Sequence, residues 1–166
     1  MITLSKISDF FTNTKRGIHS TIKWLPVIWK DRQWDHEFFN VILKHKLELM
    51  SEFYKHYGCH INAKTDAEKM DTCIQLLDRI IKDEYHENTF LDHDKKWGKS
   101  ELTTKDIPNS EFTELNVNRP FVKSAEDKSK EREESRFLFK HSENLKNKDV
   151  EMLYKIISDN ILCWWD

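Results

Sequence analysis

Between Ile28 and Phe39 the chain reads Ile-Trp-Lys-Asp-Arg-Gln-Trp-Asp-His-Glu-Phe-Phe, and the side chains crowded there have two uses. An arginine beside carboxylates and indoles either locks a fold through ion pairs or grips an anionic, planar ligand. In the second use Lys30, Arg32, Trp34 and His36 face the ligand. More widely, Trp24, Trp29 and Trp34 interleave with Arg16, Lys23, Lys30, Arg32 and Lys46, a mixture in which indoles stack on a base while cations hold a phosphate. In the first use the tryptophans seal a core or an oligomer interface. Asp35 then caps the helix that follows, and Trp29 and Trp34 meet the terminal Trp164-Trp165.

Lys46 and Asp78 are a second candidate pair, because each falls inside an apolar helical stripe. Burying either charge alone costs several kcal/mol, so antiparallel packing is expected to bring them together, either as a register-fixing ion pair or, with Arg79, as a polar pocket. His45, Glu48, Glu52 and His56 lie along one helix face. Such a row binds metal when a facing helix adds ligands, but a solvated charged face is the commoner reason for the spacing.

Two enzyme templates fit in part. All-α nucleotide pyrophosphohydrolases hold magnesium with Glu-x-x-Glu and Glu-x-x-Asp on neighbouring helices. Glu68-Lys-Met-Asp71 supplies the second spacing, whereas Glu48 and Glu52 stand one residue too far apart for the first. HD phosphohydrolases need a His-Asp dipeptide with further His and Asp ligands. His93-Asp94 supplies the dipeptide, with His60 or His86 upstream, but in a polar, weakly patterned segment where rigid ligands are not expected. There is no Gly-rich phosphate loop and no local Ser-His-Asp or Cys-His arrangement. The residues therefore point to no catalytic set, no metal ligands and no cofactor.

The elements that must position these side chains are helical. Residues 1–29 form an amphipathic segment, basic on one side and aromatic on the other, weakened at Gly17 and ended by Pro26. Such a helix can lie on a membrane surface, although packing on its own core or on another subunit is the commoner fate. Residues 34–85 form a central antiparallel αα-hairpin. Its first helix carries Phe39, Ile42, Leu43, Leu47, Met50, Tyr54 and Tyr57 at helical spacing and ends at Gly58; its second carries Met70, Cys73, Ile74, Leu77, Ile80, Ile81 and Tyr85, with Thr65 and Glu68 as a capping box. Residues 86–130 lose this periodicity and are expected to be an irregular, partly disordered excursion. A last helix occupies 131–166, with a break near Asn147. The expected architecture is all-α, three to four helices in a single domain of residues 1–166.

The bulk composition agrees. Of 166 residues, 34% are charged and only 3 are Gly and 3 Pro, which favours helices over turn-rich sheet. A formal net charge of −2 makes no strong case for nucleic acid. Cys59, Cys73 and Cys163 are odd in number and widely spaced, so a reducing compartment is the simpler expectation. No apolar run has the length of a signal peptide or membrane span, so a soluble, intracellular protein without stable membrane insertion is expected.

Taken together, Gly17-Ile18, Trp24-Leu-Pro-Val-Ile-Trp29, Asp31-Arg-Gln-Trp-Asp35, Lys46-Leu-x-x-Met50, Cys73-Ile-x-Leu-Leu-Asp-Arg79 and the terminal Trp-Trp-Asp resemble a family of small proteins encoded by tailed bacteriophages. The resemblance covers most of the chain outside residues 90–130 and brings no catalytic residues with it. It implies a phage origin and a life in the cytoplasm of the infected bacterium. The expected function is that of a non-catalytic binding protein, monomeric or homo-oligomeric, that antagonises host defence by sequestering a small anionic, nucleotide-type signal or by binding a host protein. The rival expectations are a magnesium-dependent nucleotide pyrophosphohydrolase built on Glu48, Glu52, Glu68 and Asp71, and a virion-associated or structural interaction module.

Overall fold

A computed structural model of the chain describes residues 4–31, 35, 37–58, 60–108 and 111–165. The described residues are mostly helical, with five α-helices and one two-stranded hairpin that composition did not announce. The chain divides into two compact units, Met1–Ile81 with Asp159–Asp166, and Lys82–Ser158.

The first unit holds α1 (Leu4–Ile28), α2 (Phe38–Tyr57) and α3 (Ala63–Lys82). Seven apolar α3 residues, Ala63, Ala67, Met70, Cys73, Leu76, Leu77 and Ile80, are buried at the i, i+3, i+4, i+7 recurrence that puts them on one face. On α2 the buried residues are Phe38, Leu47, Ser51 and Tyr54. Lys44 pairs with Asp78 and Ser51 bonds Asp71, so the two helices run antiparallel. Burial pushes the Cys73 thiol up to about 11, which keeps it protonated and unreactive.

Helix ends differ from expectation for local reasons. Asp35 Oδ1 accepts the Glu37 N–H at 3.0 Å, an Asx turn that uses the carboxylate ahead of the helix, so α2 starts at Phe38. Gly58 ends it as expected, in the left-handed region at φ 54°, donating to the Tyr54 carbonyl. The Thr65–Glu68 capping box does not form, because α3 already begins at Ala63; His60 Nδ1 instead accepts the Asn62 N–H. Pro26 lies inside α1: a proline lacks only its own N–H, and the Trp29 N–H still reaches the Leu25 carbonyl at 3.0 Å.

At the other end of the chain Trp164 is buried, and the Tyr54 hydroxyl donates to its carbonyl. Trp29 is 78% exposed, so the expected seal between Trp29 and the terminal indoles is not made. Tyr54 holds that end instead.

The second unit holds α4 (Tyr85–Trp97), the strands β1 (Glu101–Asp106) and β2 (Thr113–Asn118), and α5 (Ala125–Asn160) up to Ser158. Residues 86–130, expected to be irregular, thus contain a 13-residue helix and an antiparallel ladder from Glu101↔Asn118 to Asp106↔Thr113. The α5 helix begins six residues earlier than expected because Ser124 and Asp127 form a reciprocal cap, each side chain accepting the other's backbone N–H at 3.0 Å. It runs through Asn147 without a break. Tyr85 opens α4 and bonds Asp149, while Trp97 at its far end bonds Glu134, so α4 and α5 are antiparallel.

Leu77→Ala is expected to cost about 3 kcal/mol by leaving a cavity in a fully buried site, whereas Phe39→Ala, on the exposed side of α2, should stay within about 0.5 kcal/mol. Urea unfolding of the two variants checks the contrast.

Candidate functional site

Three of the sequence candidates, Arg32, Trp34 and His36, lie outside the described residues, and Lys30 is exposed at the end of α1. Asp78 does not pair with Lys46. Its carboxylate lies 2.6 Å from Lys44 Nζ, because the antiparallel register presents the lysine half a helical turn earlier. That hydrogen bond to Asp78 raises the Lys44 pKa. Lys46 is half-buried and Arg79 exposed, and both already hold partners.

Two carboxylates of the enzyme template, Glu48 and Asp71, are engaged pairwise. Glu48 sits beside Lys44 and His45. Asp71 accepts from Ser51 at 2.6 Å and Lys55 at 2.8 Å; burial works against its charged form, but these hydrogen bonds outweigh it and lower the pKa. Among the described residues no group of three or more His, Cys, Asp and Glu could hold a metal ion.

The densest polar arrangement lies in the second unit, and sequence reasoning missed it. Arg119, just after β2, sends Nη1 to Asp94 Oδ1 and to the Gly98 carbonyl, both at 2.6 Å, and its Nε lies 2.8 Å from Glu131 Oε1. Ser135 donates to Glu131 at 2.8 Å and sits 3.3 Å from His93 Nε2. His93 itself is buried. Gly98 makes the approach possible: it sits at φ 81°, and a Cβ there would collide with Pro120. The Phe121 N–H completes the attachment on the Trp97 carbonyl at 3.1 Å.

This arrangement is a clasp. The Ser135 hydroxyl donates to a carboxylate that Arg119 already holds, and Asp94 is committed to the same guanidinium. His93-Asp94 therefore stands on a rigid helix, contrary to expectation, with its carboxylate occupied by a cation.

What the clasp holds open is a cleft of about 570 Å³ between β2 and α5. Leu115, Val117 and Val122 supply apolar surface, and Asn116 and Asn118 supply amides. Lys128, Arg132 and Arg136 line it from α5 at intervals of four residues, one above another on the helix. The sole carboxylate in its lining is the neutralised Glu131. A second cleft, of about 680 Å³ between α4 and α5, sets Lys96 and Lys130 against Asp92, Glu133 and Glu134, a balance that does not favour an anion. Comparison of the chain with protein-family models, with curated proteins and with solved structures finds no match.

Arg119→Ala should destabilise the protein by about 3 kcal/mol or more, since it leaves Glu131 and Asp94 without their cation; urea unfolding followed by circular dichroism reads this. Glu134 titrates below its ordinary range because Lys96 and Trp97 donate to it. Its contribution is therefore full above the ordinary glutamate range and lost as pH falls through the depressed folded value. Glu134→Gln should flatten the acid limb of a melting-temperature profile and leave little pH dependence in that window from this group.

Proposed function

We propose that the protein is a non-catalytic binding protein of phage origin that works in the bacterial cytoplasm by holding a small, nucleotide-type anion in the cleft between β2 and α5. The supporting observation is the ladder of Lys128, Arg132 and Arg136 along that cleft. Like charges four residues apart on a helix repel and cost a few tenths of a kcal/mol per pair, and the one acid in the cleft lining, Glu131, is already held by Arg119, so the ladder carries a standing cost that an anionic ligand relieves. The volume is in the range of small-ligand sites. The apolar strand face suits a base or sugar, the amides its edges, and the guanidiniums its phosphates.

A sequestering protein needs tight binding and no turnover. Pairwise use of Glu48 and Asp71 supports that reading over the pyrophosphohydrolase one, as does the neutralised carboxylate beside Ser135.

Calorimetric titration with inorganic phosphate, mononucleotides and cyclic dinucleotides tests the cleft. At least one nucleotide should bind, and Arg132→Ala should weaken it roughly 10- to 100-fold, the worth of one charge-assisted contact. The same variant should unfold at an equal or higher temperature in the absence of ligand, because repulsion is relieved. No binding by any of the nucleotides, or a loss of binding that merely tracks a loss of stability, refutes the proposal.

A further inference from the structure

Helix α1 buries the wrong side for a core helix. Phe10, Phe11, Ile18, Ile22, Leu25 and Ile28 fall within an arc of roughly 120° at 3.6 residues per turn, and they are between 45% and 67% exposed. The helix meets α2 through a different face, where Trp24 is half-buried and packs edge-on to His45 at 4.9 Å, and the Lys23 carbonyl lies 3.1 Å from His45 Nε2. The stripe is thus left over after α1 has been fixed in place.

Two details suit the stripe to an apolar phase. Thr14 and Thr21, the hydroxyl residues within it, donate back to the Phe10 and Gly17 carbonyls at 2.8 and 2.9 Å, so neither needs water. Trp29, at the helix end, is the most exposed of the chain's tryptophans whose side chains are described, and indoles favour the boundary between lipid and water.

Charge selects the occupant. Residues 1–30 carry four lysines and one arginine against one aspartate, while the whole chain is at −2. At about 3.6 residues per turn Lys15 borders the stripe, whereas Arg16 and Lys23 lie on the far face of the helix. A second copy laid stripe to stripe would set two segments of like net charge together, whereas the surface potential of an anionic bilayer attracts that charge as a whole. We propose that α1 is a surface anchor that lies in the headgroup layer of an anionic membrane, its apolar stripe inserted, Lys15 at the stripe's edge reaching the phosphates and the helix's net positive charge drawn by the surface potential. It lies on the bilayer and does not cross it: none of the described helices is long and apolar enough to span one. At about 37 Å the 25-residue helix is a large footprint for a small protein.

Flotation of the full chain with vesicles of phosphatidylglycerol and phosphatidylethanolamine, and with vesicles of phosphatidylcholine, tests this. The protein should float with the anionic vesicles and at least tenfold less with the zwitterionic ones. Ile18→Glu with Ile22→Glu should abolish flotation without loss of helical signal, since both sites are exposed, and Lys15→Glu with Arg16→Glu should reduce it at least fivefold. Arg132→Glu, in the other unit, should leave it unchanged. Absence of flotation overturns the proposal, as does flotation that survives the Ile18/Ile22 pair. So does an analytical ultracentrifugation result in which the chain is a dimer that those two substitutions dissociate, because a second copy then covers the stripe.

Discussion

A buried guanidinium between two helices governs the second unit. Arg119 follows a hairpin whose strands have no buried residues of their own, and an isolated two-stranded ladder is at best marginal in water. The hairpin's place is therefore set from outside, by one side chain that reaches Asp94 on α4 and Glu131 on α5 together. A charge so placed is tolerable only when both carboxylates and the Gly98 carbonyl surround it, which makes the contact all-or-nothing. The strand cannot slide along α5 without stranding a cation, so the cleft beside it has a fixed width opposite Lys128, Arg132 and Arg136.

The first unit uses ionisable residues in a related way, at the edge of an apolar seam. Lys44–Asp78 and Lys55–Asp71 lie along one side of the buried row through Met70, Cys73 and Leu77, about two turns apart. The row supplies the stability and the pairs choose the register, because a shift by one turn would separate every pair. Residues with the right chemistry for metal or acid-base work are committed to alignment.

The seams were legible in the sequence and the clasp was not. Leu77, Met70 and Cys73 recur at helical spacing with no rival reading, and Gly58 marks a helix end by the one conformation that favours glycine. The stretch from His86 onward hides its helix because the α4 stripe is Phe90, His93 and Trp97, and a histidine in the middle reads as polar until its partner Ser135, 42 residues away, is known. The strands escape because both their faces are exposed, which erases the inside-outside contrast that alternation depends on. Ser124-Ala-Glu-Asp127 carries a capping-box signal that sets the start of α5 six residues before the apolar pattern does. Lys46 stands in the apolar stripe of the sequence, but which lysine meets Asp78 is set by the register between α2 and α3, and that is not written in the periodicity of either helix alone. For the cleft, the run Lys128, Arg132, Arg136 was visible as charge, but without the hairpin opposite it there was no cavity to assign it to.

The contrast between the thiols has a practical side. Cys73 is sealed in the core with its proton held, whereas Cys163 is exposed immediately before the docked Trp164. With Cys59 replaced, a dye coupled to Cys163 would sit at the hinge of the chain terminus, next to an indole that quenches by contact. Its brightness would then follow the engagement of Trp164 with Tyr54 in real time, giving an optical handle on that latch without any change to the residues that form it.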